Sequence, residues 1–220
     1  MHTNCRGLLI TPDNMYNLEV PAVEPVAKIT ELAKAAGVLR PRDLAAHGIA
    51  RQYLRLAMQQ GFIVRSGRGL YSPADGAITE FHTFAEAAKR APRAVICLLS
   101  ALRFYDIGTQ NPFEIWMAIS EKARRPRSEN PRMRIVRFSK ESLKFGQETH
   151  NVEGVPVHIF SVAKTVADCF KYRNKIGLDV ALEALRESIR TRKATTSDLW
   201  QAAKVCRVTN VMRPYMEALT

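Results

Sequence analysis

Four side chains in one short stretch offer the most specific chemistry in this sequence: Arg51, Gln52, Arg55 and Gln59. Arg presents a planar fork of donors that matches the guanine edge, and Gln offers a donor and an acceptor that match adenine. A B-form major groove has room for one α-helix carrying such groups. At 100° per residue along residues 49–60, the four fall on one arc, while Ala50, Tyr53, Leu54 and Ala57 fall on the opposite one. One face should pack and the other stay free. For an isolated helix an ordinary solvated face explains this equally well, but the flanking segments argue for more. Residues 41–48 have the proline start and glycine stop of a short helix. After the longer helix, residues 62–64 lead into Arg65-Ser66-Gly67-Arg68-Gly69 and then Leu70-Tyr71-Ser72-Pro73, which reads as a β-hairpin with a basic, glycine-rich tip. Arg65 and Arg68 would contact a phosphate strand or a minor groove, with Lys28 and Arg42 as further backbone contacts.

Catalytic constellations are weak by comparison. Lys164-Thr165 follows Phe160-Ser161-Val162-Ala163, which lacks the glycines that let a backbone wrap a phosphate, so a nucleotide-binding loop is rejected. His2, His47, His82, His150 and His158 are scattered, and Cys5, Cys97, Cys169 and Cys206 form no CxxC pair. Neither a metal site, a disulfide framework nor a cofactor is expected. Ser100 and Ser161 read as a helix hydroxyl and a helix cap, because no histidine is placed to activate either. Asp106, Glu114, Glu121 and Asp168 leave open one alternative, a metal-dependent nuclease-like C-terminal half guided by the N-terminal helices. No carboxylate pair with an adjacent lysine stands on a predicted strand to support it.

The elements that must hold these groups divide the chain. Residues 1–23 show no period and read as a poorly ordered leader. From Val26, apolar residues recur at helical spacing up to Gly37. Helix, short helix, longer helix and hairpin is the order of a winged helix-turn-helix, here residues 24–76, with eight basic residues against four acidic ones. A second unit, residues 79–220, opens with a helix to Arg90 that Thr83 and Glu86 would cap, then an apolar helix over 95–105. Strands are predicted at 113–119, 133–138, 147–152 and 155–160, the last two joined across Glu153-Gly154. Helices follow: from Ser161 to about 172, over 178–190, and over 199–205 after a Thr195/Asp198 capping box. The expectation is an α+β fold, a winged helix-turn-helix followed by a mixed α/β domain with a small mostly antiparallel sheet and closing helices.

Composition sets the partner class. Of 220 residues, 33 are Lys or Arg and 21 are Asp or Glu, a net charge of +12 that favours polyanions. Between Ser120 and Lys144, nine Lys or Arg (Lys122, Arg124, Arg125, Arg127, Arg132, Arg134, Arg137, Lys140, Lys144) face three Glu (Glu121, Glu129, Glu141). That run is either a charged, aggregation-resistant sheet edge or a nucleic-acid surface. The longest apolar run, residues 95–99, is far too short to span a bilayer, and no secretory segment is visible, so a cytoplasmic protein without membrane contact is expected.

Several segments together resemble the AbiEi family of antitoxins and transcriptional regulators: Gly67-Arg68-Gly69-Leu70-Tyr71, residues 95–102, residues 160–170, residues 173–179 and Ala203-Lys204-Val205-Cys206-Arg207. The resemblance covers roughly residues 26–220. It implies a type IV toxin-antitoxin component whose winged helix binds inverted repeats of double-stranded DNA in its own promoter. Its C-terminal domain would oppose a nucleotidyltransferase toxin without a stable complex; a direct toxin-binding module is the other possibility. Lys164, Thr165 and Asp168 match the family's most recognisable segment and are the antitoxin candidates. A helix start, a cap and a surface ion pair would account for them equally.

Overall fold

The computed structural model describes residues 24–76, 79–126 and 130–219. The expected leader, and Arg127 and Glu129 of the basic run, lie outside the described residues. The chain opens with α1 (Glu24–Ala36), α2 (Pro41–Ala45) and α3 (Gln52–Gln59), followed by a hairpin of β1 (Ile63–Gly67) and β2 (Leu70–Pro73). Val26, Ile29 and Ala33 are three to four residues apart on α1 and so share one face. They bury against Leu44, Ile49, Leu54, Ala57 and Ile63. Leu39, in the link between α1 and α2, exchanges backbone hydrogen bonds with Tyr71 of β2 (2.7 and 3.0 Å), which ties the hairpin back to the helices.

The rest of the chain forms α4 (His82–Arg90), β3 (Val95–Ile96), α5 (Leu98–Phe104), β4 (Ile115–Ser120), β5 (Met133–Phe138), α6 (Lys140–Lys144), β6 (Gln147–Val152), β7 (Val155–Phe160), α7 (Val162–Lys171), α8 (Arg173–Ile176), α9 (Leu178–Arg190), α10 (Thr196–Cys206) and α11 (Thr209–Glu217). A five-stranded sheet runs in the order β5-β4-β3-β7-β6. Because side chains alternate across a strand, β4 sends Trp116 and Ala118 into one core, with α5, α7, α9, α10 and α11. It sends Ile115, Met117 and Ile119 into the other, with α4. No helix among the described residues is long and apolar enough to cross a membrane.

The fold is mixed α/β, with a small antiparallel sheet and a larger mixed one. The larger sheet is not mostly antiparallel: β3 with β4 and β6 with β7 are antiparallel, but β4 with β5 and β3 with β7 are parallel. Residues 95–105 are not one helix. Val95 and Ile96 form the central strand, Cys97 is extended, Leu98 takes a positive φ of 49°, and α5 begins there. A strand buried on both faces shows no alternation, so its apolar run cannot be told from a helix by period. The expected Thr83/Glu86 box is absent too: α4 starts at His82 after Phe81, with no side-chain cap, and Glu86 is buried. At Thr195/Asp198 the box is present, with Thr195 Oγ1 accepting from the Asp198 N–H (3.1 Å) and Asp198 Oδ2 accepting from the Thr195 N–H (3.2 Å).

The N-terminal elements pack directly on the sheet unit. Val38 and Leu70 belong to the α4-side core. Gly37, at a φ of +63°, abuts the turn between β6 and β7 so closely that a Cβ would lie 1.5 Å from the Glu153 carbonyl oxygen, and one on Gly154 would lie 2.5 Å from that of Ala35. The Glu153 side chain anchors the same turn: its carboxylate accepts from the Thr79 N–H (2.7 Å) and hydroxyl (2.8 Å), and lies 2.6 Å from His82 Nδ1.

Candidate nucleic-acid interface

The geometry of α3 begins with α2. Pro41 fits the first helical position, where no N–H is needed, and Asp43 Oδ2 accepts the Arg40 N–H at 3.0 Å. Gly48 turns the chain with a φ of +68°, and Ile49 drops into the core before α3 starts. The other end of α3 is fixed by Gly61 at +75°, with the Gly61 N–H bonded to Met58 O (3.1 Å) and the Phe62 N–H to Ala57 O (3.0 Å). That paired pattern is a Schellman cap, which stops the helix and aims the chain into β1.

Between these ends Leu54 and Ala57 are buried and Tyr53 is half-buried, whereas Arg51, Gln52, Arg55 and Gln59 are all exposed. Two details differ from the periodicity: Ala50 is exposed, and Arg51 stands at the N-cap rather than inside the helix. None of the four side chains makes a hydrogen bond or ion pair among the described residues. The buried side of α3 packs on α1 and β1.

In the hairpin, Gly67 pairs with Leu70, so Arg68 and Gly69 form the turn, with Gly69 at a φ of +70°. Arg68 is exposed at the turn, and Arg65 is exposed on β1, its Nε donating to Gly67 O at 3.3 Å. Lys28 is exposed on α1 and Arg42 on α2. Asp43 collects the cations around α2: Arg40 at 3.3 Å, Arg42 at 4.0 Å and Lys89 of α4 at 3.9 Å. Lys34 pairs with Asp75 at 2.7 Å and holds that carboxyl below its usual range. Lys28, Arg51, Arg55, Arg65 and Arg68 have no carboxylate partner among the described residues. The arrangement therefore offers uncompensated donors on the helix and the hairpin turn.

Lys164, Thr165 and Asp168 are brought together elsewhere, on α7, and all three are fully buried. Lys164 Nζ pairs with Asp168 Oδ2 and lies 4.8 and 4.4 Å from the ring centroids of Phe138 and Phe160. Cys206 Sγ donates to Asp168 Oδ1 (3.3 Å), and Thr165 Oγ1 to Phe160 O (3.2 Å). Burial raises the Asp168 pKa, with Lys164 opposing the shift. The pair is interior, not a surface ion pair. Among the described residues no group of three His, Cys, Asp or Glu could hold a metal ion. Sequence reasoning did not single out Arg40, Lys89 or Arg90. Lys89 and Arg90 stand in the last turn of α4, where cations ordinarily complement a helix C-terminus, and only the packing of α4 against α2 brings them to this face.

No curated protein matches the chain. Among solved structures it is similar to the RV2827C protein from Mycobacterium tuberculosis, at 13% identity over 88% of this chain and 78% of that one, with a TM-score of 0.48. The family resemblance is shown over the three helices and the hairpin: residues 28–74 match the family described as transcriptional regulator, AbiEi antitoxin.

Proposed function

We propose that the chain is a sequence-specific DNA-binding repressor and antitoxin of a type IV toxin-antitoxin system, acting in the cytoplasm. Residues 24–76 are the winged helix-turn-helix. α3 enters the major groove, where Arg51, Gln52, Arg55 and Gln59 meet base edges, while Arg65 and Arg68 of the wing and Lys28 and Arg42 meet phosphates or a groove. The target is an inverted repeat in the protein's own promoter. Residues 79–220 are the antitoxin domain, opposing a nucleotidyltransferase toxin without a stable complex. Lys164, Thr165 and Asp168 act there through the packing of α7, since their burial keeps them from touching another macromolecule.

The observation that carries this reading is the unpartnered, exposed polar face of α3, on the segment that matches a regulator family. A gel-shift titration of the promoter repeat against random duplex tests it. Arg55→Ala is expected to lose about 1–3 kcal/mol of preference for the repeat. Unchanged preference removes α3 from base readout, and equal affinity of the unaltered protein for both duplexes overturns the repressor assignment. Co-expression with a growth-arresting nucleotidyltransferase toxin should restore growth if the antitoxin half of the reading holds, and continued arrest overturns that half.

A further inference from the structure

A basic cleft continues from the start of α3 onto the sheet unit. Its first part, a concavity of about 380 Å³, is bounded by Arg51 and the wing's Arg68. Its second, of about 760 Å³, is bounded by Arg93 and by Arg124 in the loop after β4. Arg42 and Arg90 line both, so the two parts share a wall, and no carboxylate lines either among the described residues.

Arg90 is the unusual member. Its Nε is buried and has no hydrogen-bond partner. The guanidinium is wedged under the hairpin, with Nη2 only 2.8 Å from where a Cβ on Gly67 would lie. A buried guanidinium N–H without an acceptor is costly, and an anionic oxygen is the acceptor it matches best. The surroundings point the same way. Burial lowers the Lys89 pKa, and although Asp43 opposes this, the neighbouring Arg40 and Arg42 push it further down, the mark of like charges crowded together.

We propose that this cleft seats the sugar–phosphate backbone of duplex DNA, with Arg90 gripping one phosphate and Arg93 and Arg124 carrying the strand onto the C-terminal half. The proposal rests on the DNA-binding reading of α3 and extends it to residues outside the segment that matches the family. Phosphate is the recognised group. A duplex, rather than a free phosphate or nucleotide, is its source because the cleft opens beside the reading helix and the wing and extends well beyond one phosphate group.

The test is a salt titration of full-length protein on random-sequence duplex. Each phosphate contact adds about 0.9 to the steepness of log affinity against log salt. Arg90→Gln should lower the slope by about one unit and the exposed pair Arg93→Gln/Arg124→Gln by about two, with the loss equal on repeat and random DNA. Because Arg90 is partly buried, its variant is judged only at an unchanged melting temperature, and otherwise the exposed pair decides. Unchanged slopes with intact duplex binding overturn this proposal and leave the α3 reading standing. Absence of any duplex binding by the unaltered protein overturns both. If inorganic phosphate or ATP binds in an Arg90-dependent way while the slopes stay the same, the cleft is a small-anion site and the proposal fails.

Discussion

Asp168 follows Lys164 by four residues, a spacing that on a solvated helix gives an ordinary surface pair. On α7 every residue from Val162 to Phe170 is buried, so this pair has lost its water on all sides. Removing one partner strands a charge. Asp168→Asn is expected to destabilise the protein by about 3–5 kcal/mol in urea unfolding, whereas replacing both members with apolar residues of similar volume should be far less harmful. The same interior holds Cys97, Cys169 and Cys206, all raised in pKa by burial, Cys206 to about 12. These thiols should resist alkylation in native protein and react only after denaturation, which mass spectrometry of labelled peptides would read. At this scale the exposed arc of α3 was legible because Arg, Gln and apolar residues separate cleanly around a helix. The burial of Lys164 and Asp168 was not, because ionic residues default to the surface. The available signal was their setting among Val162, Ala163, Val166, Ala167, Cys169 and Phe170, apolar all round.

Among the elements, β5, β6 and β7 lie where their strand composition puts them, and α9 lies where its helical period does. The misreading fell on β3, whose two residues lie at the sheet centre, and that error also hid the parallel pairing of β3 with β7. Short helices such as α6, and α11 with Pro214 inside it, offer too few turns or the wrong punctuation to be seen. The junction of Gly37 with the Glu153 turn was invisible for another reason: a close approach between segments far apart in sequence leaves no local pattern. It is also testable. Gly37→Ala adds both a strained positive φ and a backbone clash, and should cost about 1–3 kcal/mol or more by thermal or urea unfolding. Burial alone would raise the Glu153 pKa, but hydrogen bonds from His82 and Thr79 outweigh it and leave the carboxyl below its ordinary value. A carboxyl depressed in the folded state stabilises above its unfolded pKa, and that contribution is lost as pH falls through the folded one. The seat should therefore loosen under acid, seen as lower amide-exchange protection, relative to the intrinsic rate at each pH, around residues 79–82, and Glu153→Gln should remove that part of the pH dependence.

For the molecule as a whole, the net charge of +12 named a polyanion as partner but not its place. Folding gathers the positive charge by bringing the end of α4 against α2 and the hairpin, a contact between the two halves that no single segment encodes. Substituting the exposed Lys28→Gln on α1 should weaken binding to all duplexes alike and lower the salt slope by about one unit in fluorescence anisotropy.

The Gly37–Glu153 contact has a consequence for how copies would line up on the proposed operator. Since α3, the helix proposed to enter the groove, is bolted to the larger body rather than hung from a tether, each copy bound in that way would project its bulk at a set azimuth around the duplex. Two copies on an inverted repeat then behave like cogs on a shaft with about 10–10.5 base pairs per revolution. Lengthening the spacer by half a revolution swings one body to the far side and should abolish any mutual help in loading, and a full revolution should bring the bodies back into phase.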